Sequence, residues 1–509
     1  MLAPPIFLLL GSLLLAGWRP SDRRVAWLTE AGFTVAALAA SLFLRRSIPT
    51  SIGFDYLPPS LSTSAGVGLE LTPWSWSLLV GALVFVLSQT LKPGPGTPHT
   101  SVEQRSAWLG FAGFVTLSIL AANVLTLVVT WALVVLAQAW RVRATGTESA
   151  PSWEPFSGLD LGAFACLLAA GAISLDDSST FHPGVVYALL VGAGGFRLAS
   201  GLRSERFNRT PTVGDGKELR IGGLTAVSVL AMASAGIGQE GAGLLAGWLM
   251  VFGAAVVLLT ATSLWLTPKG EPPPHVWVLS LTGAAALAAG VSPGNAELAF
   301  SATGSVLIVV GALGGRTAGG ELVGRVAAII GALTSVGIPY LVGAMLLGVL
   351  STPGESNWGA SLRWLGILGM GMLSSKLLRD GLARVRGGET TAAGRPSIAA
   401  VLMAVFSAGM FVYLRPIGPP PSTLAIAASL AIMVVGAVSA AAVSSERRDR
   451  LARSLRWPRS LDLSLAGRAI GGFLEKAARG LRDVLEGDAS LLWAFVVLLI
   501  AFLVVRASR

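Results

Sequence analysis

The 509-residue sequence holds one cysteine and three histidines, and only 13% of its positions are charged. A lone Cys166 excludes an internal disulfide, and it leaves no thiol pair for iron–sulfur or zinc ligation; it reads as a small buried hydrophobe. The charged share is about half that of a soluble domain, so water is not the main solvent of this chain. No Walker-type phosphate loop occurs, nor any dinucleotide fingerprint set between strand and helix. No catalytic residue, cofactor site or metal site is therefore expected. The formal charge of +10 is spread over many short loops without a patch or a reading motif, so no nucleic-acid partner is expected either.

What is present is apolar surface, at 53% of positions, arriving in long blocks almost free of charge. Blocks of that length cross roughly 30 Å of hydrocarbon as helices, because in lipid each backbone amide needs a partner within its own segment. Runs such as Ala431 to Val443 show no period of two, which argues against a transmembrane barrel. The expected fold is all-α and polytopic, with sixteen spans. They are placed at 2–18, 25–44, 74–91, 107–122, 124–140, 159–175, 184–201, 221–237, 243–266, 276–291, 298–314, 323–350, 362–378, 398–414, 423–443 and 491–505. Met1 to Trp18 lacks the basic lead and cleavage site of a signal peptide and is read as a retained first span. Asn123 marks the turn between the fourth and fifth spans.

The charges orient these spans. Before the last long loop, connections after odd-numbered spans hold eighteen Lys and Arg, and connections after even-numbered spans hold three, Arg45, Arg46 and Arg415. Cytoplasmic loops carry the Lys and Arg excess, so both termini are expected outside. Tryptophans near span ends, such as Trp18, Trp74, Trp108, Trp140 and Trp265, suit an interfacial belt. The polar stretch 444–490 is expected in the cytoplasm. Within it Leu465, Ala469, Phe473, Ala477, Leu481 and Leu485 recur every fourth residue, the stripe of an amphipathic helix. That helix rests on lipid headgroups or, through contacts such as Phe473 and Leu481, braces the bundle or a partner subunit.

Several segments carry a family likeness. Val67 to Leu79 (VGLELTPWSWSLL), the paired spans 108–140 with NVLTLVVTWALVVL, Leu189 to Gly201 (LLVGAGGFRLASG) and Thr334 to Gly343 (TSVGIPYLVG) follow one another in order. With the lateral helix and closing span, this layout resembles the antiporter-like membrane subunits of respiratory complex I, membrane hydrogenases and multisubunit sodium/proton antiporters. The resemblance implies the division 1–106 (three N-terminal spans), 107–242 and 243–378 (two antiporter-like halves), 379–443, 444–490 and 491–509. It also implies a helix break at Gly337 and Pro339 in the twelfth span, and neighbouring membrane subunits in the bilayer of a bacterial or archaeal cell.

For proton transfer the resemblance implies a glutamate in the fifth span paired with a lysine in the seventh, a basic or histidine residue in the eighth, and further lysines or acids in the second half. Here the glutamate position reads Ala132 and the lysine position reads Arg197, a residue that holds its proton essentially always. The eighth span contains no ionisable residue. Arg197 either snorkels to headgroups or is tied to backbone carbonyls or a partner carboxylate. Glu30, six residues into its span, is expected at the interface, and His99, His182 and His275 at the surface. The Gly-rich strings GAGG and GALGG are expected to serve close helix packing. The leading expectation is a non-catalytic subunit of a redox-driven translocase or related ion-transport complex, with a degenerate proton path and a structural role. The alternatives are an active antiporter module that borrows charges from its neighbours, or a stand-alone permease or membrane transferase.

Overall fold

The computed structural model describes residues 1–53, 67–91, 101–144, 158–174, 185–195, 197, 230, 243–266, 274–313, 329–330, 333–334, 343–352, 357–386, 396–416 and 419–442. Fourteen helices run through them: α1 Ala3–Trp18, α2 Arg23–Leu44, α3 Pro73–Leu91, α4 Val102–Ile119, α5 Val124–Ala144, α6 Gly158–Ser174, α7 Val185–Gly195, α8 Gly243–Leu266, α9 Pro274–Val291, α10 Ala296–Leu313, α11 Gly343–Ser351, α12 Asn357–Arg386, α13 Pro396–Leu414 and α14 Thr423–Ala442. These coincide with spans one to seven, nine to eleven and thirteen to fifteen, and with the end of span twelve. Span eight is represented by Leu230 alone. The closing span, the lateral helix with Phe473 and Leu481, and the break at Gly337 and Pro339 lie outside the described residues.

Local chemistry sets the helix starts. Proline opens α3, α9 and α13, where its missing N–H costs nothing. Ser101 and Gln104 form a capping box, each side chain satisfying the other's backbone N–H, and so α4 begins before the apolar run does. Asn123 Oδ1 accepts hydrogen bonds from the Thr126 amide and hydroxyl, both at 2.8 Å, which places the α4–α5 turn at the asparagine as expected.

The chain is a multi-pass, all-α membrane protein. α2, α3 and α5 are each long and apolar enough by themselves to cross a bilayer. α3 is covered on all sides from Trp76 to Thr90 by α2, α4, α10 and α13. Large apolar side chains instead face outward on α1, α2, α13 and α14, among them Leu13, Phe43, Val412 and Val435. That is the arrangement expected where lipid replaces water.

Close packing rests on single glycines. A Cβ on Gly253 of α8 would stand 2.5 Å from the Leu287 amide nitrogen, and one on Gly290 of α9 would stand 2.6 Å from the Ala246 carbonyl. The backbones of α8 and α9 therefore touch. In the GAGG string an added Cβ at Gly192 meets Cys166 Sγ at 3.7 Å, and one at Gly195 meets nothing within 4 Å, while Gly194 is buried. GALGG runs past the end of α10 and out of the described residues. On α1 and α4, Ser12 and Ser106 exchange hydroxyl-to-carbonyl hydrogen bonds in both directions at 2.8 Å.

Among the described residues one element is a small sheet. Strands β1 (Thr50–Gly53) and β2 (Gly68–Leu71) pair antiparallel, with Thr50 opposite Leu71 and Gly53 opposite Gly68. β2 is also bound to the α4–α5 turn: Glu70 N donates to Leu120 O at 2.8 Å and Ala122 N to Gly68 O at 2.9 Å. Thr126 Oγ1 takes the Gly68 amide at 2.8 Å. This hairpin marks one end of the bundle. The opposite, basic end carries Arg19, Arg23, Arg24, Arg105 and Arg141.

Candidate functional site

The residues that bear on ion movement are charges enclosed by the bundle, because an ionisable side chain is costly there unless it is used or paired. α5, α6 and α7 share a small core of their own, built on Leu127, Trp131, Leu167, Leu190 and Ala193. Arg197 follows α7 at the edge of that core and is 8% exposed. Its Nη2 donates to Gln138 Oε1 at 2.8 Å, and its guanidinium carbon sits 5.7 Å from the centre of the Trp131 ring. Trp131 and Gln138 are seven residues apart, two turns along one face of α5. Arg197 is thus enclosed, and the partners named here are a side-chain amide and an indole face. Ala132, next to Trp131, is half-buried and offers a methyl group where the family likeness implies a carboxylate.

Two further charged centres are enclosed, and sequence reasoning singles out only Glu30 among their residues. Glu30 is 3% exposed, and its carboxylate meets the 5% exposed Arg105 guanidinium in an ion pair. Thr90 Oγ1 donates to Glu30 Oε1 at 2.9 Å, and Trp27 Nε1 donates to Thr90 O at 2.8 Å. This cluster binds α2, α3 and α4 together at the basic end. The early helix start at Ser101 is what carries Arg105 inside. The second centre is Lys376, 1% exposed in α12. Lys376 lies two residues inside the expected end of its span, and α12 runs eight residues past that end. Ser374 and Ser375 before the lysine and Arg379 and Asp380 after it give the sequence no local sign of that enclosure. Nearby at the basic end, Arg141 stacks over Trp108 at 4.6 Å.

At the hairpin end Glu70 and Glu297 approach each other. Glu297 lies in the first turn of α10, just ahead of the apolar run 298–314, and burial together with the Glu70 charge raises its carboxyl above the ordinary range. Arg45 lies over the Tyr413 ring at 5.1 Å, and Trp76 packs on the same tyrosine with centroids 4.4 Å apart. His99 and His182 fall outside the described residues, and His275 falls in the first turn of α9.

This arrangement of helices has known counterparts. The chain superposes over 98% of its length on 62% of a chain from the Mrp complex of Dietzia sp. DQ12-45-1b, with TM-score 0.66 and 17% identity. It superposes over 99% of its length on 99% of a chain from the membrane-bound sulfane sulfur reductase, an archaeal respiratory membrane complex, with TM-score 0.64 and 13% identity. The fold is that of the antiporter-like membrane subunits. The chain spans 62% of the length of the Mrp chain it matches. No protein-family model matches its sequence, and no curated protein does.

Proposed function

We propose that this antiporter-like chain is a subunit of a multisubunit membrane complex, redox-driven or ion-transporting, and that its own proton path is degenerate, leaving it a structural role. Neighbouring membrane subunits are its partners, both termini lie outside the cell, and the lateral helix braces the assembly through Phe473 and Leu481. The observation that carries the reading is the α5–α7 site. A switchable relay needs a group that gives up its proton at moderate cost and a carboxylate to receive the charge. Ala132 supplies no carboxylate, and the side chain held by Gln138 and Trp131 is a guanidinium, a group unsuited to proton relay, where the family likeness implies a lysine.

Arg197→Leu tests this. Proton pumping per turnover, measured in vesicles with equal amounts of assembled complex, stays nearly unchanged if the path is degenerate. A severalfold loss at unchanged assembly refutes the degenerate reading. One observation favours a second reading, in which the second half still conducts: Lys376, an ionisable side chain, is enclosed in α12, and such a group inside a membrane bundle is costly unless it is used or paired. A pumping loss in Lys376→Leu, with Arg197→Leu silent, would select that reading.

A further inference from the structure

α10 carries buried hydroxyls that the protein itself does not satisfy. Ser301 and Ser305 are fully buried, and their Oγ atoms have no hydrogen-bond partner. Other buried helical serines return the hydroxyl to a carbonyl three or four residues back, as Ser88 does to Phe85, at 2.7 Å, and Ser374 to Met370 and Ser429 to Ala425, each at 2.8 Å; Ser280 of α9 shares the unsatisfied state of Ser301 and Ser305. A buried polar atom left without a partner is costly, and the common remedy is an enclosed water.

The face of α10 that bears these hydroxyls is fixed by its neighbours. A Cβ built on Gly81 of α3 would come within 2.5 Å of Ile308 Cδ1 and 2.8 Å of the Phe406 ring, so α3, α10 and α13 meet there. Ser301 precedes Ile308 by seven residues and Glu297 precedes it by eleven, which puts all three on one stripe at 3.6 residues per turn; Ser305 adjoins it. The closeness of Glu297 to Glu70, which leads into α3, agrees with that direction. Thr303, also unsatisfied, lies across the helix on the opposite side.

We propose that a blind, water-filled pocket enters from the hairpin end between α3, α10 and α13, with Glu297 at its mouth, Ser301 and Ser305 holding waters along its wall, and Ile308 and Phe406 closing its floor at Gly81. Its ligand is water. The pocket goes beyond the proposed function, because it is independent of Arg197 and its apolar floor separates it from the basic end. The raised carboxyl of Glu297 fits a group half withdrawn from solvent.

Thiol accessibility tests it. In a Cys166→Ala background, which removes the only native thiol, Ser301→Cys, Ser305→Cys and the equally buried controls Ala302→Cys and Val306→Cys are made in the full chain. A small cationic methanethiosulfonate is added to both faces of native membranes. Ser301→Cys should react at least about tenfold faster than Ala302→Cys, and Ser305→Cys faster than Val306→Cys, because only a thiol in contact with water ionises and meets the reagent. Adding Glu297→Gln should slow the cationic reagent at Ser301→Cys. Equal rates at Ser301→Cys and Ala302→Cys would overturn the pocket, and no effect of Glu297→Gln would remove Glu297 from its mouth. Should the cysteine variants fail to accumulate, a cryo-EM map of the unaltered chain decides: solvent density within hydrogen-bonding distance of Ser301 Oγ supports the pocket, and its absence at a resolution that shows other waters refutes it.

Discussion

Removing Arg105 isolates one of the best-enclosed carboxylates among the described residues. Glu30 and Arg105 are 3% and 5% exposed, on helices whose contact residues are 75 positions apart. In Arg105→Ala, Glu30 keeps the Thr90 hydroxyl but loses its counter-charge, and breaking a buried pair from one side costs about 3–5 kcal/mol. Glu30→Gln should cost a similar amount, since it strands the guanidinium. The double variant Glu30→Leu/Arg105→Leu removes both charges and should fall within about 1–2 kcal/mol of the parent, because desolvation of the pair offsets most of its attraction. Unfolding of the purified chain in mixed micelles of increasing SDS fraction gives the three free energies. The diagnostic quantity is the coupling, the amount by which the double variant is more stable than the sum of the singles predicts. A loss below about 1 kcal/mol in Arg105→Ala, or single effects that simply add, would refute a buried pair that locks α2 to α4.

Three further outcomes are expected. Gly253→Ala puts a methyl group 2.5 Å from the Leu287 amide nitrogen, where only a backbone shift makes room; it should lower stability by about 1–3 kcal/mol in the same assay, against a near-silent Gly247→Ala, whose added Cβ meets nothing within 4 Å. Glu297 has a folded pKa above its unfolded value, so it binds its proton more tightly when folded. Its stabilising share is full below the ordinary glutamate range near pH 4.5 and is lost as pH rises through the raised value. Glu297→Gln should flatten the fall in melting temperature across that window, and an unchanged pH profile would count against the raised value. Cysteine labelling at Arg209 and Arg459 from the cytoplasmic face only, and at Glu355 from outside only, is the expected orientation; an externally accessible Arg209 would reverse it.

Span positions were legible because each needs only a long apolar run. The stretch 243–266 was read to the residue, and α13 and α14 within two. Helix ends were not, because backbone hydrogen bonds continue wherever caps allow and are indifferent to the charge that closes a hydropathy window. α4 starts from the Ser101–Gln104 box, which brought Arg105 inside, and α12 extends to Arg386, eight residues beyond the expected span that already held Lys376. The pairing of Glu30 with Arg105 joins separate helices, and no local pattern announces it. Close packing followed isolated glycines, Gly253 and Gly290, whose importance comes from the opposing helix and not from their own neighbours in sequence. Ala132 and Arg197 were found only through the family likeness, and composition would have passed over both.

The hairpin imposes an order on biogenesis. The amides and carbonyls that fasten Gly68 and Glu70 belong to Leu120 and Ala122, which reach that face of the membrane only when α4 has crossed. While the chain is being threaded, β2 and the entry to α3 wait without these partners. The latch shuts when the α4–α5 turn arrives, and from then on α3, α4 and α5 can no longer slide past one another at that end.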